Sequence, residues 1–335
     1  MGEQNPNFDA IILFITDLEG IVMFLSFLPA VFFGWTLGRN DAANIYGTTV
    51  TSGILKYRSA ALISSFAVLA GAMLGGAGGM ETLSGLSSHT LLSASVNAAS
   101  AGISVLLLNR LGLPVSSSQA IVGSVIGIGL LKGSVDWLIV LKIVACWITT
   151  PLGAAIAGFL LYRVIGSAFR MIHSILIQDL LLKALAVIIG GFGSFALGAN
   201  NVANVTGTFA DIIGIDKALL IGGLSISAGA IMFSKRVMYT IGTRIVALES
   251  FASVIALLAQ SLTVLVYAFI GVPVSVSQAI VGAVIGVGLA RGSRNFDARL
   301  IKRILFGWVS TPVISGLISV TLYIAFTSLA PLLGK

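Results

Sequence analysis

The chain has 335 residues, of which 57% are hydrophobic and only 9% charged, where a soluble domain carries roughly 25% charged residues. That composition excludes a fold covered for water. The net charge of +7 comes from short Lys and Arg clusters between apolar stretches, the pattern of cytoplasmic loops, which argues against a nucleic-acid-binding face.

Read from the N-terminus, the segment MGEQNPNFDA places Glu3 and Asp9, and no basic region, before the first apolar run. A cleavable signal peptide is therefore not expected, and the first span is expected to stay inserted. Apolar runs over residues 20–37, 60–80 and 138–161 reach the roughly 18 residues that a helix needs to cross hydrocarbon. They are continuous runs of Ala, Leu, Ile, Val and Gly, without the alternation of a membrane β-barrel. The predicted fold is an all-α integral membrane protein.

The first polar island is LGRNDAANIYGT at residues 37–48, and it returns as LGANNVANVTGT at residues 197–208, 160 residues later. PVSSSQAIVGSVIGIGLLKGS at 114–134 returns as PVSVSQAIVGAVIGVGLARGS at 273–293, with 16 of 21 positions identical. WITTP from Trp147 and WVSTP from Trp308 form a weaker third pair in the same order. The chain is thus read as two repeats: residues 1–165, with a signature at 38–48 and a hairpin motif at 114–130, and residues 166–335, with a signature at 198–208 and a hairpin motif at 273–289.

Loop charges indicate that the repeats are inverted. Lys56 and Arg58 follow the first signature, whereas Asp211, Asp216 and Lys217 follow the second. After the hairpin motifs the bias reverses: Lys132 and Asp136 in the first half, and Arg291, Arg294, Arg299, Lys302 and Arg303 in the second. Equivalent loops then face opposite sides. Each half makes an odd number of crossings, both termini lie outside, and the arrangement is the inverted-topology plan of secondary transporters, with broken helices and two helical hairpins. The expected location is the plasma (inner) membrane. The depths of Arg39 and Arg110 are not explained by loop counting.

Within the first signature Asp41, Asn44 and Thr48 fall at spacings of three and four, so a helix puts them on one face with Asn40 beside them. Carboxylate and amide oxygens suit a hard cation such as sodium. The second signature offers Asn200, Asn201, Asn204 and Thr208, with Asn201 standing where the first has Asp41, so two cation sites would differ in charge. The alternative role for these side chains is packing and hydrogen bonding between helices.

In the hairpin motifs Pro114 and Pro273 interrupt the chain, and Ser116, Ser117, Ser118 and Gln119, or Ser275, Ser277 and Gln278, open a new helix. Two helix N-termini converging there would form an anion site; otherwise the serines simply cap their helices. An anion would lean on dipoles, hydroxyls and co-bound cations, because Arg39 is the signatures' only basic residue and Ala199 replaces it in the second. Cys146 is the only cysteine, which excludes an intramolecular disulfide and a thiolate cluster. His89 and His173 lack partners at metal-ligand spacing and support neither zinc nor a nucleophilic triad.

The paired motifs GRNDAANIYGT with GANNVANVTGT, and PVSSSQAIVG with PVSVSQAIVG, resemble the inorganic phosphate transporter (PiT) family over nearly the whole chain. That family carries G-x-N-D-x-A-N-x-x-G-T and P-[VI]-S-[ST]-[ST] in each half. The resemblance implies uptake of phosphate driven by sodium or protons. It places Asp41, Asn44, Thr48, Asn201, Asn204 and Thr208, with Ser116, Ser118, Ser275 and Ser277, at cation and phosphate sites, and Asn40, Asn200, Gln119 and Gln278 as further ligands. Arg39, Asn201, Gln119 and Gln278 depart from the family pattern; Gln stands where many relatives have His. Without those histidines the obvious groups titrating near neutral pH are missing, which favours sodium over a proton relay.

The expected function is sodium-coupled phosphate symport by alternating access. A proton-coupled phosphate or sulfate permease is the alternative, ahead of an anion channel or an intramembrane enzyme. Expected partners are phosphate, sodium and lipid, with a homodimer as a candidate assembly and no cofactor beyond the coupling ion.

Overall fold

The computed structural model describes residues 18–110, 115–246, 248–293 and 296–333. Pro114, Arg294 and the N-terminal segment that carries Glu3 and Asp9 lie outside them. The described elements are helices, with no strand among the described residues. They are α1 Leu18–Thr51, α2 Tyr57–Gly75, α3 Ala77–Ser84, α4 Leu91–Asn109, α5 Ser117–Lys132, α6 Trp137–Phe169, α7 Ile175–Thr206, α8 Ala210–Ile213, α9 Ile215–Ile231, α10 Lys235–Tyr239, α11 Ser250–Ile270, α12 Val276–Ala290 and α13 Ala298–Leu333. A 3-10 turn, Gly207–Phe209, precedes α8, and a π turn, Thr240–Arg244, follows α10.

Among the described residues six helices are long and apolar enough to cross a membrane: α2, α4, α6, α7 with its continuation to Ile213, α11 and α13. A seventh span is possible where α9 and the α10 segment meet at a 68° bend. The apolar run 60–80 is not one helix, because the chain breaks at Gly76 between α2 and α3. On α6, Leu138, Leu141, Ile148, Leu152, Ile156, Leu160 and Val164 are all exposed. They repeat at helical spacing, as a helix facing lipid requires.

Packing repeats between the halves. α1 packs on α4 and on α9, and α7 packs in the same way on α11 and on α2. The short helix α5 rests on α13, and α12 rests on α6, so each hairpin helix leans on a long helix of the other half.

Glycines permit these crossings. A Cβ on Gly38 would collide with the Ile226 carbonyl of α9, and one on Gly198 with the Val68 carbonyl of α2. A Cβ on Gly123 would strike the backbone of Pro312, and one on Gly282 the backbone of Pro151. The prolines of the WITTP and WVSTP motifs are therefore points of close backbone contact with the hairpin helices.

Candidate functional site

The helix α1 runs unbroken through the first signature and α7 through the second to Thr206, so the polar residues sit inside helices. Asn40, Asp41, Asn44, Thr48, Asn200, Asn201, Asn204 and Thr208 are all buried. So are Ser116, Ser117, Ser118, Gln119, Ser275, Ser277 and Gln278.

Asp41 is the centre of a ring of amides. Its Oδ1 accepts from Asn40 Nδ2 at 2.6 Å and from Asn44 Nδ2 at 3.3 Å. Its Oδ2 accepts from Asn201 Nδ2 of the other half at 3.1 Å. Asn201 Oδ1 occupies the matching place: it accepts from Asn200 Nδ2 and Asn204 Nδ2, both at 2.8 Å, and from Ser118 Oγ at 3.4 Å. The first half supplies a carboxylate and the second an amide within one shared network.

The leading asparagines also hold the hairpin tips. Asn40 Nδ2 donates to the Val115 carbonyl at 2.9 Å, and Asn200 Nδ2 to the Val274 carbonyl at 2.9 Å. Asn200 Oδ1 further accepts from Val274 N at 3.2 Å, so Asn200 grips both backbone groups of one residue. Ser118 Oγ, from the first hairpin, donates to the same Val274 carbonyl at 2.8 Å and accepts from Asn204 Nδ2 at 3.0 Å. The two hairpins and the two signature helices therefore meet at one place.

The hairpin serines divide in role. Ser116 Oγ caps α5 by accepting from Gln119 N, and Ser275 Oγ caps α12 by accepting from Gln278 N, each at 3.2 Å. Ser275 and Ser277 hydroxyls are 2.8 Å apart. Each cap satisfies one N–H, while helix geometry leaves the other first-turn N–H groups without intrahelical partners at the positive end.

Burial and charge show what this centre can hold. Among the described residues the ion pairs are Lys183 with Asp179 and Arg291 with Glu249, and neither reaches Asp41. A buried carboxylate without a counter-charge is costly. Around the network, Asn40 Oδ1, Asn44 Oδ1, Asn204 Oδ1, Gln119 Oε1 and Gln278 Oε1 are buried oxygens without a hydrogen-bond partner, as are Ser117 Oγ and Thr208 Oγ1. Asn40 and Asn44 both hydrogen-bond Asp41, so their uncoordinated carbonyl oxygens and its carboxylate form a donor set for a hard monovalent cation. No group of three or more His, Cys, Asp or Glu side chains that could hold a metal ion occurs among the described residues.

Thr48 stands apart from the amide ring and donates to the Ser253 carbonyl of α11 at 3.3 Å. Ser253 Oγ is itself buried without a partner. Sequence reasoning missed Ser253 because a single serine in an apolar helix carries no motif.

A helical membrane chain whose two halves enclose a buried centre of this kind is built as a membrane transport protein. The model of the phosphate transporter family matches residues 37–319, and the chain belongs to that family. A Methanocaldococcus jannaschii protein named "Putative phosphate permease MJ0630" is 31% identical, over 83% of this chain and 89% of that one. Sulfate permease CysP of Bacillus subtilis is 29% identical, over 89% of this chain and 86% of that one. A solved structure described as the sodium-dependent phosphate transporter superposes with a TM-score of 0.80 at 23% identity, covering 92% of this chain and 99% of the other. That last likeness defines the fold. Membership of a transporter family makes the chain a transporter rather than an enzyme.

Proposed function

We propose that the chain is a sodium-coupled symporter of inorganic phosphate working by alternating access between two inverted repeats, residues 1–165 and 166–335. The observation that carries this reading is Asp41: a buried carboxylate with no basic partner among the described residues, bordered by unpartnered amide and hydroxyl oxygens. Sodium at Asp41, Asn40, Asn44, Asn200, Asn201 and Asn204 supplies the missing charge. Phosphate then binds beside it at Ser116, Ser117, Ser118, Gln119, Ser275, Ser277 and Gln278, with Thr48 and Thr208 at the edge. The helix N-termini of α5 and α12 provide donors and a positive potential.

Sodium and phosphate each make the site more favourable for the other, which is the coupling that symport needs. The opposite loop charges of the two halves support an inversion, with the termini outside the plasma membrane. A second reading, sulfate as substrate, is favoured by the likeness to CysP along 89% of this chain. The donors suit any tetrahedral oxyanion.

Competition in proteoliposomes separates the two. Under an inward sodium gradient, unlabelled phosphate is expected to displace labelled phosphate at lower concentration than sulfate does. Displacement by sulfate at the lower concentration would transfer the assignment to sulfate, and uptake indifferent to sodium would remove the coupling.

A further inference from the structure

A second polar region lies next to the signature helix and takes no part in the amide network. It is a cavity of about 900 Å³ lined by Arg39, Tyr57, Asn109, Arg110, Lys235 and Arg236, among others. Four of its lining residues are cationic and none is acidic. Among the described residues none of the four forms an ion pair.

The cations are oriented by neutral groups. Arg39 Nε donates to the Met232 carbonyl at 3.1 Å, where α9 ends at the 68° bend. Its guanidinium lies 4.6 Å over the Trp35 ring. Arg236 Nη1 donates to the Arg110 carbonyl at 2.8 Å, and Lys235 Nζ lies 5.5 Å over the Tyr57 ring. A guanidinium carries five N–H donors and these contacts use one. Each Arg therefore keeps donors for a ligand.

Symmetry makes Arg39 informative. Its equivalent is Ala199, whose Cβ lies in the corresponding crossing, against Gly75, so the fold itself does not need a cation at this register. Arg39 also adjoins Asn40, and its carbonyl accepts from Ser234 N at 2.9 Å, which ties the cavity wall to the signature helix.

We propose that this cavity is a second oxyanion site, a holding site for a doubly charged phosphate or sulfate group between the central site and the cytoplasm. The cytoplasmic assignment follows from Lys56, Arg58 and Arg244, which flank the lining elements. Unlike the central site, it has its positive charge built in and needs no sodium. The free anion and a phosphate-bearing lipid headgroup share the chemistry it recognises.

Equilibrium dialysis of the purified full chain with labelled phosphate, in sodium-free choline buffer, tests it. Saturable binding of about one phosphate per chain is expected, weakening as ionic strength rises. Lys235→Gln and Arg236→Gln should each weaken it about five- to tenfold, on the scale of a partly solvated charge pair. Arg39→Ala combined with Lys235→Gln should abolish it, while Arg39→Lys keeps it. The two exposed single variants keep the test valid if Arg39→Ala folds poorly.

Absence of saturable sodium-free binding in the wild type, or equal binding in all variants, would overturn the site. Sodium-dependent binding on the same samples reports the central site: its loss alone counts against the transport reading, and loss of sodium-free binding alone counts against this one. Nanodiscs with and without phosphatidate assign the source. Competition by phosphatidate against labelled phosphate on the wild type points to a headgroup, and its absence points to the free ion.

Discussion

Asn201 Nδ2 donates to Asp41 Oδ2 across 3.1 Å, joining equivalent positions of two repeats that lie 160 residues apart. One member carries a charge and the other does not, and the site's chemistry follows from that difference. Asp41→Asn removes the only carboxylate in the network. Sodium affinity, and with it phosphate uptake at limiting sodium, should fall by more than tenfold, whereas Asn201→Ala should reduce it only a few fold. Sodium titrations of initial uptake rate in proteoliposomes measure both, and equal sodium dependence in the two variants contradicts the asymmetry.

The reverse substitution, Asn201→Asp, sets a second carboxylate against the first. Like charges at this distance repel strongly when buried. The variant should melt at a lower temperature in choline than the wild type, and sodium should raise its melting temperature by more. Thermal unfolding in the two salts decides this; an equal sodium increment in both proteins would refute it.

The hairpin tethers are unequal too. Asn200 binds both backbone groups of Val274, while Asn40 binds only the Val115 carbonyl. Removing a partner from a buried backbone group costs about 1–3 kcal/mol. Asn200→Ala should therefore destabilise the protein more than Asn40→Ala, although both lose transport. Melting temperatures of the purified variants give the order.

Two hydroxyls of the first hairpin motif are replaced in the second, Ser117 by Val276 and Ser124 by Ala283; of these Ser117 Oγ is buried without a partner. Ser117→Val copies the other repeat. It should leave the fold intact and weaken phosphate or sodium binding about tenfold, read by isothermal titration. Unchanged affinities would make Ser117 a bystander.

Backbone crossings give a prediction independent of transport. Gly38→Ala and Gly198→Ala drive a Cβ into the backbone of α9 and α2 and should abolish the folded, monodisperse protein. Gly153, on α6, has open space around its missing Cβ; Gly153→Ala should be neutral or stabilise by about 0.5–1 kcal/mol. Size-exclusion profiles and melts distinguish the three.

Much of this was legible in the residues. The apolar runs announced membrane helices, and the duplicated motifs named the buried polar side chains, because charges and amides in hydrocarbon have few other reasons to be there. What stayed hidden depended on partners distant in sequence. Nothing local in 114–134 says that α5 rests on α13 of the other half, nor that Gly123 faces Pro312. The run 60–80 looked like one span because Gly76 breaks it without a polar residue. Nor does anything local show that the amides of Asn40 and Asn200 also hold the Val115 and Val274 carbonyls. The position of Arg39 became intelligible only with Met232 beside it, 193 residues away.

The central claim is that a cation at Asp41 drives phosphate through this centre. The most direct measurement is accumulation of labelled phosphate by wild-type proteoliposomes under an inward sodium gradient, with choline in place of sodium and Asp41→Asn as controls. The account predicts transient accumulation above the external concentration for wild type with sodium, and none in choline or in the variant. Accumulation that persists without sodium, or that Asp41→Asn leaves unchanged, would contradict it.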